Sequence, residues 1–110
     1  MPTPTAAVLR RRRQALVRQL LPLQALLRGS LIERYKRCGK PGCHCAAGPG
    51  HGPKFYLSVS YPGARPSMEY VQQAVVPETR AALANYHRVR AIVAEICEIT
   101  RELLRRREVL

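Results

Sequence analysis

Within fourteen residues the chain places Cys38-Gly39-Lys40-Pro41-Gly42-Cys43-His44-Cys45 and then His51, which is three of its four cysteines and two of its three histidines. Thiolates and imidazoles are the ligands that zinc takes at tetrahedral angles. Cys38, Cys43, Cys45 and His51 offer four of them at the spacing C-x4-C-x-C-x5-H. Gly39, Pro41 and Gly42 permit the sharp turn that lets Cys38 and Cys43 face one ion. The leading expectation is one structural zinc ion (Zn2+) per chain. His44 is the rival for the fourth position, although a ligand wedged between two others strains the chelate. A disulfide would use at most two of the three clustered thiols, and Cys43 and Cys45 are too close in sequence to bridge easily. Nothing at the N-terminus reads as a secretory signal, so a reducing cytoplasm is expected. An iron–sulfur cluster or a redox thiol is the remaining alternative.

Catalytic chemistry finds little to use. The chain has no Asp, and Glu33 and Glu69 are the only acids outside the last helix; neither sits in a recognisable motif. No glycine-rich phosphate loop ending in Gly-Lys-Ser/Thr is present. A nucleophile at Cys43 or Cys45 with His44 as base lacks an orienting third group, and sequence neighbours rarely reach catalytic geometry. Four ligands close a zinc site, whereas a catalytic zinc keeps a position open. The expectation is a protein that is not an enzyme.

Charge is the second signal. The formal net charge is +12, from nineteen Lys and Arg against seven Glu. It is lopsided: residues 1–54 carry +10 and residues 55–110 only +2. A concentrated positive field attracts polyanions, of which nucleic acid is the commonest. Arg outnumbers Lys sixteen to three, but a GC-rich genome produces the same bias, so the weight lies in the clustering. The expected phosphate contacts are Arg10, Arg11, Arg12, Arg13, Arg18, Arg28, Arg34, Lys36, Arg37, Lys40 and Lys54. Of these, the run Arg10–Arg13 stands near a helix N-terminus, where cations oppose the helix dipole, so it has no evident local role.

The cysteine cluster and its surroundings resemble a known family. Gly29-Ser30-Leu31, Arg34-Tyr35, the run Cys38–Cys45, His51-Gly52-Pro53 and Tyr56-Leu57-Ser58 are similar to the pattern of a domain-of-unknown-function family of short bacterial proteins. The resemblance extends from about residue 20 through the hairpin and the last helix. It implies the same fold arrangement, a zinc site on Cys38, Cys43, Cys45 and His51, and an association with transposases and other mobile elements. It implies no enzyme activity and names no partner. Gln72-Gln73-Ala74-Val75-Val76 depart from the pattern by lengthening the link to the last helix.

These groups need elements to position them. A length of 110 residues fits a single small domain, and 46% hydrophobic residues without Trp and with one Phe give a core of Leu, Val, Ile and Ala. The expected fold is α+β. A basic N-terminal helix occupies 1–29, with Thr5 as N-cap and Leu9, Leu16, Leu20, Leu23 and Leu27 at helical spacing; Pro22 kinks or splits it. Residues 30–76 hold the zinc loop and a three-stranded antiparallel meander. Its first strand is Leu31–Arg37. The second is Phe55–Tyr61, with Phe55, Leu57, Val59 and Tyr61 on one face. The third is Ser67–Val71. So small a core leans on a metal or on disulfides for stability.

A long helix fills 77–108, beginning at Pro77-Glu78. Ala82, Tyr86, Val89, Val93, Ile96, Thr100 and Leu103 form a coiled-coil-like seam, broadened by Leu83, Ile92, Ile99 and Leu104. At 1.5 Å per residue it reaches about 45 Å, longer than the sheet covers, so its end packs on the first helix or on a second copy in a homodimer. Cys97 is expected as a buried small hydrophobe and His87 as a surface or packing residue. Tyr56, Tyr61 and Tyr70 are able to stack bases, but with Phe55 their plainer role is to fill the sheet face. Leu20–Leu27 is too short and too interrupted to span a bilayer. The chain therefore reads as a zinc-stabilised, non-enzymatic nucleic-acid-binding protein, with DNA favoured over RNA and a nucleoid location if DNA is its ligand. The rival is an adaptor whose long helix docks on a protein such as a transposase or recombinase.

Overall fold

The computed structural model describes residues 3–43, 48 and 50–110. Its elements run α1 (Ala6–Leu20), β1 (Ser30–Lys36), β2 (His51–Val59), β3 (Ser67–Val71), a short 3-10 turn (Gln73–Val75) and α2 (Val76–Arg105). This is the expected α+β order of helix, antiparallel sheet and long helix. The chain divides into two compact units, residues 27–83 and residues 1–26 with 84–110. α2 contributes residues to both units.

The first unit is the sheet. β2 lies centrally and pairs antiparallel with β1 and β3. Strict alternation along β2 decides which face is buried: Phe55, Leu57 and Val59 are buried, and with Val71, Val76 and Leu83 they form the core that Leu27 and Leu31 border. Burying each of these side chains contributes about 1.5–3 kcal/mol. Leu27 N–H donates to the Ala82 carbonyl at 3.1 Å, tying the approach to β1 onto the first turns of α2. Arg80 of α2 pairs with Glu33 of β1 at 3.3 Å.

The register assigns the other face. Ile32, Tyr56 and Tyr70 stand side by side across the three strands, flanked by Arg34 and Lys54 on one side and by Ser30, Ser58 and Met68 on the other. Tyr56 and Phe55 therefore point to opposite faces. Tyr61, expected on the apolar face, lies past the end of β2 and is exposed.

The second unit is helical. Thr5 caps α1 by accepting the Val8 N–H at 3.2 Å. The helix ends at Leu20, and residues 23–28 have no regular structure, so Pro22 terminates the helix instead of kinking a longer one. Its missing N–H and the clash of its ring with the preceding turn account for the stop. Leu16 packs with Ile92, Ile99 and Leu103 of α2, and Leu103 is wholly buried. The buried stripe of α2 thus runs through Leu83, Ile92 and Ile99, expected only to broaden the seam, whereas Val93 and Leu104 are exposed. Cys97 is exposed as well, contrary to its expected burial, because it follows Ile96 on the solvent side of that stripe. Among the described residues, no helix is long and apolar enough to cross a membrane.

Candidate functional site

The candidate metal-ligating side chains are brought together by three local devices. β1 delivers Cys38 two residues past its last ladder position, Lys36, which pairs with His51 at the start of β2. The ladder thereby sets the beginning of β2 beside the exit of β1. Lys40-Pro41-Gly42-Cys43 then folds back as a turn, with the Cys43 N–H donating to the Lys40 carbonyl at 3.3 Å and Gly42 at φ 78°. Pro at the second position and a left-handed Gly at the third are what a type II turn demands. Finally, Gly52 has φ 147°, and a Cβ there would lie 2.7 Å from the Arg34 carbonyl oxygen. Only glycine allows β2 to press this closely against β1 next to His51.

Together these bring Cys38, Cys43 and His51 into a group whose ligand atoms lie within 4.8 Å of one another. Cys43 Sγ is 3.3 Å from His51 Nε2. The group is able to hold a metal ion, and two sulfurs with one imidazole nitrogen are donors of the softness that zinc accepts. Cys45, expected as the fourth ligand, and its neighbour His44 lie outside the described residues. The sulfurs of Cys38 and then Cys43, as hydrogen-bond partners, raise the pKa of His51 above its ordinary value of 6.5. Without metal, the imidazolium is the favoured partner of those sulfurs.

A cleft of about 440 Å³ opens beside the Cys38–Cys43–His51 group, lined by Arg34, Tyr35, Lys36, His51, Lys54 and Tyr56. Arg37 and Cys38 line an adjoining depression. Arg37 also donates two N–H groups to the Gly48 carbonyl at 3.2 and 3.3 Å, fastening the far side of the loop. Four of the expected phosphate-binding cations, Arg34, Lys36, Arg37 and Lys54, thus gather at one end of the sheet, each on an exposed residue. Lys40 is exposed on the metal loop, and Arg28 donates to the Ser60 carbonyl with its guanidinium 5.0 Å from the Tyr61 ring centre.

The Arg10–Arg13 run, in the helical unit, has local work after all. Arg10 pairs with Glu108 at 3.2 Å and donates to the Val109 carbonyl. Arg12 pairs with Glu95 at 2.7 Å, an interaction that lowers the pKa of the carboxyl through hydrogen bonding and charge. Arg13 donates to Thr100 Oγ1 and to the Leu110 carbonyl. These contacts tie α1 to α2 and to residues 108–110 beyond it, and cations that oppose the dipole of α1 are compensated by those acceptors. Arg11 and Arg18 are exposed on α1. Tyr35 in the cleft is not among the expected contact residues, whereas Tyr56 is one of the tyrosines able to stack bases, and the alternation that buries Phe55 and Leu57 turns it to the opposite face.

A family model described as "Domain of unknown function (DUF6788)" matches residues 6–81, from the start of α1 to the first turns of α2. The match begins earlier than the motif resemblance and stops within α2. No curated protein and no solved structure matches the chain.

Proposed function

This chain belongs to the DUF6788 family, a domain of unknown function, and from that premise we propose that it is a zinc-scaffolded, non-catalytic nucleic-acid-binding domain. The observation that carries the reading is the cleft in which Arg34, Lys36 and Lys54 converge beside the Cys38–Cys43–His51 group. Cys38, Cys43 and His51, with Cys45 as fourth ligand, would hold the ion, and zinc would supply structural cross-linking of β1, the loop and β2. The metal then fixes the backbone that presents the cations, so that phosphates meet a preset array. DNA is the ligand class we favour, in keeping with the net charge of +12, and a reducing cytoplasm is the setting in which such thiols stay available to metal. Service to a mobile element, as a companion of a transposase or recombinase, is the biological context we infer from the motif. The adaptor reading has less to rest on, because Ile92, Ile99 and Leu103 of α2 already pack with Leu16 of the same chain.

The test is fluorescence anisotropy with labelled DNA over a range of salt. Binding should weaken steeply with salt, since cations displace counterions from the backbone. Replacing Arg34, Lys36 and Lys54 with Ala should shallow the log–log slope by about two to three. Binding that ignores salt, or a slope unchanged in the triple variant, would remove the cleft as the contact surface.

A further inference from the structure

The face of the sheet turned away from its core is built unlike an ordinary solvated face. Across its central row stand Ile32, Tyr56 and Tyr70, with Met68 in the row beside it. Tyr70 is 60% exposed and Met68 41%, and the two tyrosine rings meet edge to face with centroids 5.8 Å apart. The Arg34 guanidinium lies 5.6 Å from the Tyr56 ring centre. At the end of the rows Arg34 pairs in register with Lys54, and Lys36 follows. Both acids of the sheet fall on the other face: Glu33 opposes Phe55, and Glu69 opposes Leu57. An apolar, aromatic face with an acid-free cationic border therefore stands on one side of the sheet, half-buried at Ile32 and Tyr56 and exposed at Tyr70 and Met68.

Duplex DNA offers phosphates to the cations but nothing for the tyrosine rings to stack on, because its bases are stacked inside. An unpaired strand offers both parts: flat bases for the tyrosines and a phosphate chain for the cations. The chemistry of the two components agrees in place as well, since Tyr56 lines the same cleft as Arg34, Lys36 and Lys54. We propose that the open sheet face binds single-stranded nucleic acid, stacking bases on Tyr56 and Tyr70 while Arg34, Lys36 and Lys54 hold the adjoining phosphates. This rests on the nucleic-acid reading above and specifies its ligand as an unpaired strand. The hydroxyls of the tyrosines are not required for stacking, whereas their rings are.

The experiment measures anisotropy of the zinc-loaded full chain with labelled 20-nucleotide thymidine DNA, uridine RNA and a mixed-sequence duplex, each as an arm. One or both single strands should bind more tightly than the duplex, and the tighter strand identifies the preferred sugar. Tyr70→Ala, at an exposed position and with folding and zinc content checked by circular dichroism and elemental analysis, should lose about tenfold in single-strand affinity, while Tyr70→Phe should stay within about twofold. Duplex binding as tight as single-strand binding, or an unchanged affinity in Tyr70→Ala, overturns this inference while salt-sensitive binding leaves the broader reading standing. No binding in any arm overturns both.

Discussion

His51 is asked for two incompatible protonation states. The sulfurs of Cys38 and Cys43 hold its proton more firmly than water does, raising its pKa above 6.5, whereas a metal ion needs the neutral ring and deprotonated thiols. In the metal-free chain, the raised value means that the imidazolium's contribution to stability is fully present below about pH 6.5 and is lost as pH climbs through the folded value. Metal uptake runs the other way: it expels protons, so apparent zinc affinity should rise with pH across this window. Cys43→Ser should abolish stoichiometric binding at every pH while leaving the helical signal largely intact. Competition with a chromophoric chelator at several pH values checks both. An affinity flat in pH, or a Cys43→Ser variant with full zinc, would mean that the ion is held elsewhere. The triad itself was legible in the sequence, because ligand types, spacing and the Pro41-Gly42 turn residues all agree. What spacing does not display is the ladder pair between Lys36 and His51 that places the histidine.

At the scale of elements, the sheet was more legible than the helices. Period-two alternation in β2 sorts Phe55, Leu57 and Val59 from Tyr56 and Ser58 without reference to anything distant. The helical seam is different, since a broad apolar stripe on α2 admits several lines of contact, and only the position of α1 selects Ile92, Ile99 and Leu103 over Val93 and Leu104. Leucine periodicity likewise continued past Pro22 in the sequence, while the backbone could not. Arg10, Arg12 and Arg13 are the clearest case: their acceptors, among them Glu95, Thr100 and Glu108, lie more than eighty residues away, so no local pattern announces them. The packing of α1 on α2 is directly testable. Leu103 is wholly buried, and Leu103→Ala should cost about 2–5 kcal/mol by removing buried methyls and leaving a cavity. Chemical denaturation followed by circular dichroism should show that loss. A change below about 0.5 kcal/mol, typical of surface positions, would place Leu103 outside the core.

For the whole molecule, the division into two units gives the charge asymmetry a structural meaning. The helical unit spends Arg10, Arg12 and Arg13 on its own acceptors, whereas the sheet unit gathers Arg34, Lys36 and Lys54 around a cleft. Composition announces the excess of cations; only the fold distinguishes those used internally from those offered outward. On the proposed function, the metal holds the offered set in place. The most direct measurement is nucleic-acid affinity, at fixed pH and salt, of the zinc-loaded chain, the chelator-stripped chain and the stripped chain with zinc restored, with metal content determined for each. The expected result is one zinc per loaded chain, a loss of about tenfold, or about 1.4 kcal/mol, on stripping, and recovery on return of the ion. Equal affinity with and without stoichiometric zinc would contradict it.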